Sequence, residues 1–295
     1  MHRRKDTVTL LPARTSLRIL LGTTAAAAAL VLAGCAPAST DDVVSGSSDD
    51  STASTASGLT LAEVEESGKL TIGTEGTYSP FSFHADGGTG DLTGYDVEVI
   101  TAVAEKLGVE PEFEETQWDA MFAGLDGGRF DVIANQVSIN DERSAKYDFS
   151  EPYSVSPGVV VVPADDTEIT SLDSLSGKTT AQSLSSNWYT LAQDSGATVE
   201  GVEGWAQAVA LVEQGRVDAT LNDRLTWLDW STTYPDQAAG LKVAVTTDDS
   251  SSSAFTFPKG SDDLVAAVDG ALDELRADGT LASISERYFG ADVSQ

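Results

Sequence analysis

The sequence predicts an α/β fold in two similar halves, and three observations predict it. Short apolar strands alternate with amphipathic helices over most of the chain, the pattern of a sheet covered on its faces. One helix-to-strand cassette recurs at an offset of 87 residues. Both copies end in polar side chains where a buried strand runs out of hydrogen-bond partners.

The N-terminal residues stand apart from this pattern. Arg3, Arg4, Lys5, Arg14 and Arg18 precede an apolar run from Ile19 to Ala33. About 15 apolar residues are too few to span a bilayer and suit the core of a signal peptide. The run ends Leu32-Ala33-Gly34-Cys35, which resembles the bacterial lipoprotein cleavage box; residues 1–34 are then a signal peptide and Cys35 the lipid-attachment site. Cys35 is the chain's one cysteine, so an internal disulfide is excluded. Residues 35–58 are Ser, Thr, Ala and Asp with little to bury, a flexible tether. The remainder is long enough for two lobes of about 100 residues or for one large domain. Taking five basic side chains and one acid from totals of 17 and 47 leaves a net charge of −34 after cleavage. Such a chain is a poor partner for nucleic acid or an anionic membrane surface.

In the folded part, Leu70 to Thr74 is the first strand. Tyr95 to Leu107 places Val97, Ile100, Val103, Ala104 and Leu107 at helical spacing and stops at Gly108, a good C-terminal cap. Pro111 to Glu115 is the next strand, and Trp118, Met121, Phe122 and Leu125 mark a helix that breaks at Asp126-Gly127-Gly128. A strand follows from Phe130. The cassette then repeats: Trp118, Gly128, Arg129, Asp131 and Asn135 correspond to Trp205, Gly215, Arg216, Asp218 and Asn222, with a second-half strand at Val217 to Leu221. Gln136 in one half corresponds to Asp223 in the other.

Open α/β sheets bind ligands beyond the carboxyl ends of their strands. The first half offers Glu75 to Tyr78, Thr116 to Trp118 and Asn135 to Ser138; the second offers Ser183 to Asn187 and Asn222-Asp223. Facing each other, these loops predict a cleft holding the planar donor Arg143, the acceptor Asp223, hydroxyls, amides and the aromatics Tyr78 and Trp118. An α-amino acid needs that set. Arg143, Ser138 and the donors around Ser186 suit its carboxylate, Asp223 its ammonium, and the aromatics its side chain. His84 is the one histidine beyond residue 34, so zinc binding and Ser-His or Cys-His catalysis are not expected. No catalytic residue, metal or cofactor is assigned.

The segments Glu75-Gly76-Thr77-Tyr78-Ser79-Pro80-Phe81-Ser82-Phe83, Gly94-Tyr95-Asp96-Val97-Glu98, Asn135 to Arg143, Asp218 to Leu225 and Gly279-Thr280-Leu281 with Tyr288-Phe289-Gly290 resemble the polar-amino-acid family of solute-binding proteins that serve ABC importers. Trp118-Asp119, Asn135-Gln136-Val137, Tyr147-Asp148-Phe149-Ser150 and Asn222-Asp223-Arg224 are most similar to its cystine-binding branch. The resemblance covers residues 59 to 295. It implies a type II periplasmic-binding-protein fold: lobe 1 is 59–153 with 254–295, lobe 2 is 157–250, each a small mixed sheet flanked by helices, with the ligand cleft between them. It also carries roles onto this chain. Arg143 clamps the carboxylate, Ser138 adds a hydroxyl, Asp223 takes the ammonium, Tyr78 is a lid and Trp118 a wall. Asn135, Gln136, Glu75, Ser185 and Ser186 complete the set. Ser185-Ser186 stands where the family usually has Gly-Thr, and Glu75 is placed to hold the distal ammonium of cystine. The implied protein is exported, anchored by lipid to the outer face of the cell membrane and monomeric. It captures a polar amino acid, cystine first and cysteine, glutamine or histidine as alternatives, and delivers it to the permease of an ABC importer. An enzyme on the same scaffold, dehydratase-like, and the ligand-sensing partner of a signalling protein are the rival classes.

Overall fold

Strands and helices alternate as their hydrophobic periods dictate. A computed structural model describes residues 58–295; the expected signal peptide, the expected lipid-attachment site Cys35 and the expected tether up to residue 57 lie outside the described residues. In chain order the strands are β1 (Lys69–Thr74), β2 (Thr77–Tyr78), β3 (Ser82–His84), β4 (Leu92–Thr93), β5 (Glu110–Glu115), β6 (Val132–Ile133), β7 (Tyr147–Phe149), β8 (Ser154–Pro163), β9 (Thr179–Gln182), β10 (Thr198–Gly201), β11 (Thr220–Asp223), β12 (Leu241–Ser253) and β13 (Thr256–Pro258).

The first lobe is built on a five-stranded sheet of order β5-β1-β6-β13-β7. β1 runs parallel to β5 and β6, and β13 runs antiparallel to β6 and β7. Leu70 and Ile72 of β1 are fully buried with Val99, Ile100 and Val103 of helix Tyr95–Leu107 and with Leu264, Val268 and Leu272 of helix Asp262–Ala277. Each such side chain contributes about 1.5–3 kcal/mol by leaving water. Helix Tyr95–Leu107 ends at Gly108, whose φ of 75° lets its N–H return to the carbonyls of Ala104 and Glu105. The second lobe has β11-β8-β12, all antiparallel, and the parallel pair β10-β9, linked to the residue just before β11 by a bridge from Thr180 to Ala219. Its own core holds Val159, Val161, Val209, Val212 and Trp230. β8 and β12 pair from Ser154 with Ser253 to Pro163 with Leu241, so the chain passes between the lobes as an antiparallel ribbon. None of the helices among the described residues is long and apolar enough to cross a membrane.

The repeat has a structural basis. Helices Trp118–Asp126 and Trp205–Glu213 match residue for residue at the 87-residue offset. Each is followed by a left-handed glycine, Gly128 at φ 65° and Gly215 at φ 64°. The aspartates then lock neighbouring parallel strands: Asp131 accepts from the Thr71 N–H at 2.8 Å, and Asp218 from the Thr179 N–H at 2.7 Å. Arg129 and Arg216 reach Glu114 and Glu200 at 3.8 and 3.7 Å, exposed pairs worth under about 1 kcal/mol.

Two strand boundaries differ from expectation. The strand expected from Phe130 is confined to Val132–Ile133, because the Phe130 ring is used for packing. It fills gaps left by Gly73 and Gly124, where an added Cβ would lie 2.5 and 2.6 Å from it. The strand expected at Val217 to Leu221 is β11 instead. Its antiparallel register with β8, Asn222 opposite Val159 and Asp223 opposite Gly158, draws both polar residues into the strand end.

Candidate functional site

Where the chain leaves β6, hydrogen bonds to buried carboxylates fix the backbone. Gln136 has a φ of 51°, an uncommon conformation for a residue with a side chain. Asp96 holds it there, accepting from the Gln136 backbone N–H and from Nε2, both at 2.7 Å. Asn135 is fully buried; its Oδ1 accepts from the Glu75 N–H at 2.9 Å and its Nδ2 donates to Glu75 Oε2 at 2.6 Å. Behind the cleft, two amides thus each pair with an acid, and no cation takes part in either pair.

Burial dominates the electrostatics of these acids. It pushes Glu75 up to about 7, with Asp119 nearby adding and the Asn135 bond opposing. It raises Asp96 to about 6 against its bonds to Gln136 and Tyr153. Asp223 is likewise raised to about 7 by burial, opposed by the Ser156 hydroxyl and reinforced by the charge on Asp96. Its Oδ1 is buried and has no hydrogen-bond partner among the described residues. An unpaired buried acceptor costs about 1–3 kcal/mol.

Glu75, Tyr78, Trp118, Gln136 and Ser186 line one cavity, together with Ser183, Asn187 and Asn222 of the expected second-lobe loops and with Gln182 and Trp205, which lie outside those loops. Counting the part open to solvent, it holds about 540 Å³. Tyr78 crosses it. Its hydroxyl donates to Asn222 Oδ1 at 3.0 Å and lies 2.9 Å from Thr226 Oγ1. On one side the Ser79 hydroxyl donates to Asp229 at 2.9 Å. Elsewhere Asp119, one residue into the Trp118 helix, accepts from the Ser185 N–H at 3.0 Å and its hydroxyl at 2.6 Å. The lobes are therefore drawn together across the cleft.

Arg143 sits beside the cavity. Asn140 caps the single helical turn Asp141–Ser144, accepting from the Arg143 N–H at 2.9 Å. The guanidinium is buried; Nη1 donates to the Ser138 carbonyl at 3.0 Å and Nη2 to the Ser185 carbonyl at 3.1 Å. It lies 5.5 Å from the Trp118 ring and 5.2 Å from the Phe122 ring. Burial lowers its pKa to about 10, so it stays a cation at neutral pH. Among the described residues no carboxylate lies within 4.0 Å of it, and only part of its five-donor fork is engaged.

The expected site residues fall into three groups. Glu75, Tyr78, Trp118, Gln136 and Ser186 line the cavity, and Asn135 supports it from behind through Glu75. Arg143 and Ser185 line an adjoining groove. Ser138 and Asp223 are buried outside both linings; the Ser138 hydroxyl accepts from Ser251 at 2.7 Å. The Ser186 hydroxyl is used locally, accepting from the Tyr189 N–H at 3.1 Å as a helix cap and donating to the Ser183 carbonyl at 2.8 Å. Sequence reasoning missed Asp96, Asp119, Asn222 and Trp205 as site residues. Asn222 and Trp205 were within reach, since the 87-residue repeat pairs them with Asn135 and Trp118.

A two-lobed α/β scaffold with a polar and aromatic cleft defines a small-molecule binding protein. The chain belongs to the bacterial extracellular solute-binding proteins, family 3, whose model matches residues 70–291. It is 52% identical over 234 residues to the L-cystine-binding protein TcyA of Bacillus subtilis, covering 79% of this chain and 86% of that one. It is similar to the crystal structure of the L-cystine solute receptor of Neisseria gonorrhoeae in the unliganded open conformation, at 49% identity and TM-score 0.55 over 80% of this chain and 99% of that one. An ancestral arginine-binding protein bound to arginine is matched at 32% identity and TM-score 0.70 over 76% and 99%. The shape is thus nearer to the arginine-bound relative than to the open one of higher identity, in keeping with the bonds across the cleft.

Proposed function

We propose that this protein captures an amino acid outside the cell, with L-cystine the preferred ligand, and delivers it to the permease of an ABC importer. The observation that supports the reading is a cavity between lobes with a buried cation in the groove beside it, Arg143, and a buried anion next in sequence to its lining residue Asn222, Asp223; among the described residues neither is paired with an opposite charge. An α-amino acid supplies both missing partners: its carboxylate to Arg143 and Ser138, its ammonium to Asp223. Tyr78 and Trp118 wall its side chain, and Glu75, which lines the cavity, receives a second ammonium. Charge-assisted hydrogen bonds of about 1.5–3 kcal/mol each account for micromolar affinity after ordering costs. The preference for cystine is supported by the 52% identity to TcyA.

In this reading lobe 1 comprises 59–153 and 254–295, lobe 2 comprises 157–250, and ligand contacts on both lobes favour the closed form. The chain works as a monomer, exported and held at the membrane by lipid on Cys35, and it performs no chemistry. Among the residues lining the cavity, Glu75, raised to about 7, is the acid suited to general-acid work. Incubating the protein with L-cystine and recovering the ligand unchanged by chromatography is the expected outcome; turnover would instead make the protein an enzyme. Titration calorimetry with L-cystine, cysteine, glutamine and histidine tests the ligand assignment, and another amino acid binding more tightly than cystine would overturn it.

A further inference from the structure

Trp118 and Trp205 are counterparts. Each is the first residue of its helix, each lines the same cavity, and each has a buried indole N–H with no partner among the described residues. Their rings are braced alike: Trp118 meets Phe122 edge-on at 5.8 Å and 86°, and Trp205 meets Trp230 at 6.2 Å and 87°. A further pair at the same offset, Gln136 and Asp223, repeats the feature, because Gln136 Oε1 and Asp223 Oδ1 are also buried without partners among the described residues. On the second-lobe side, Gln182 at the end of β9 adds another buried, unpartnered donor, Nε2, to the cavity wall.

We infer that Trp205 and Gln182 form a second-lobe subsite that receives the far carboxylate of a ligand with two α-amino-acid ends, as Arg143 and Ser138 receive the near one. The inference rests on the amino-acid-binding reading above and deepens it by assigning the residues that select a double-ended ligand. The chemistry of the donors favours a carboxylate. An indole N–H can only donate, and a glutamine amide offers two N–H groups, so both suit an acceptor-only group. A single-ended amino acid fills the near half and leaves the Trp205 and Gln182 donors buried and unpaired. A site built to hydrogen-bond a group discriminates strongly against an analogue that lacks it. The doubled tryptophan suits a ligand whose halves are alike, which a disulfide-bridged pair of cysteines is.

The test is titration calorimetry of the full folded chain with L-cystine and with S-methyl-L-cysteine, which keeps one end and the first sulfur. The readout is the ratio of the two affinities, in wild type, Trp205→Phe and Gln182→Leu. Trp205→Phe keeps an aromatic ring and removes the N–H; Gln182→Leu removes the amide by a separate route should the first variant fail to fold. Losing a hydrogen bond to a charged group lowers affinity by about tenfold or more, so in each variant the cystine to S-methylcysteine ratio should fall by at least about tenfold. An unchanged ratio in the folded variants, or an equal loss for both ligands, overturns the subsite. If wild type binds neither ligand, the amino-acid reading itself falls and the subsite with it.

Discussion

The Tyr78 hydroxyl donates to the Asn222 side-chain oxygen at 3.0 Å, joining the loop after β1 to the end of β11 across 144 residues of sequence. With Thr226 also within 2.9 Å, one phenol holds two groups of the facing lobe. The ring packs on Phe81 at 5.0 Å, so the hydroxyl is delivered by a fixed aromatic platform. The residue that lines the cavity is thereby also the one that bonds across it.

Tyr78→Phe should keep the wall and remove the latch. Two hydrogen bonds are lost, each worth about 0.5–1.5 kcal/mol, so ligand affinity should fall by about fivefold to 150-fold while the circular-dichroism spectrum stays native. Small-angle scattering of the unliganded variant should give a larger radius of gyration than wild type. An equal radius and equal affinity would remove Tyr78 from the closing mechanism.

Asp223→Asn separates stability from binding. The carboxyl is held near pH 7 by burial, above its ordinary value near 3.8, so the fold favours its protonated form. Its ionisation therefore destabilises the empty protein progressively from about pH 4 to pH 7, and fully above that. The unliganded variant should melt higher than wild type at pH 8 and about equally at pH 4. Its affinity for a free amino acid should fall by a hundredfold or so, with a smaller loss for an N-acetylated analogue. Equal losses for both ligands would argue against the ammonium contact.

Binding should release protons. Glu75 and Asp223 are both raised to about 7, and an ammonium favours their ionised forms, so a ligand bound below that pH must displace protons. Affinity should rise as pH climbs from 5 to 8. Calorimetry at pH 6 in two buffers of different ionisation enthalpy should show net proton release; proton uptake, or a flat affinity profile, would contradict the arrangement.

Arg143→Ala should lower amino-acid affinity by a hundredfold or more, since a charge-assisted bidentate contact disappears along with the Ser185 bond that helps close the cleft. Arg143→Lys should recover only part of the loss, because an ammonium lacks the planar fork. Unchanged affinity in the alanine variant would free Arg143 from the carboxylate role.

Local signals carried much of this account. Gly108 marked a helix end because only a left-handed residue returns its N–H to the last turn, and helix Tyr95–Leu107 ends there. Asp131 and Asp218 were legible as a repeat, and the strand locks they make explain why the spacing recurs. What escaped was non-local. Asp96 looked like an ordinary first-turn acid of a helix, yet it is buried and holds Gln136, 40 residues away. Asp119 was visible only as part of a Trp-Asp pair, and its bond to Ser185 depends on how the lobes close. Arg143 was picked as a polar donor after a strand, but nothing local foretold that its guanidinium would lie on Trp118 and Phe122.

The central claim is that the unpaired charges of this cleft are completed by a double-ended amino acid, and titration of the purified protein with L-cystine tests it most directly. The expected result is saturable binding of one cystine per chain, micromolar or tighter. No saturable binding up to the solubility limit of cystine, in a protein that melts cooperatively, would contradict it.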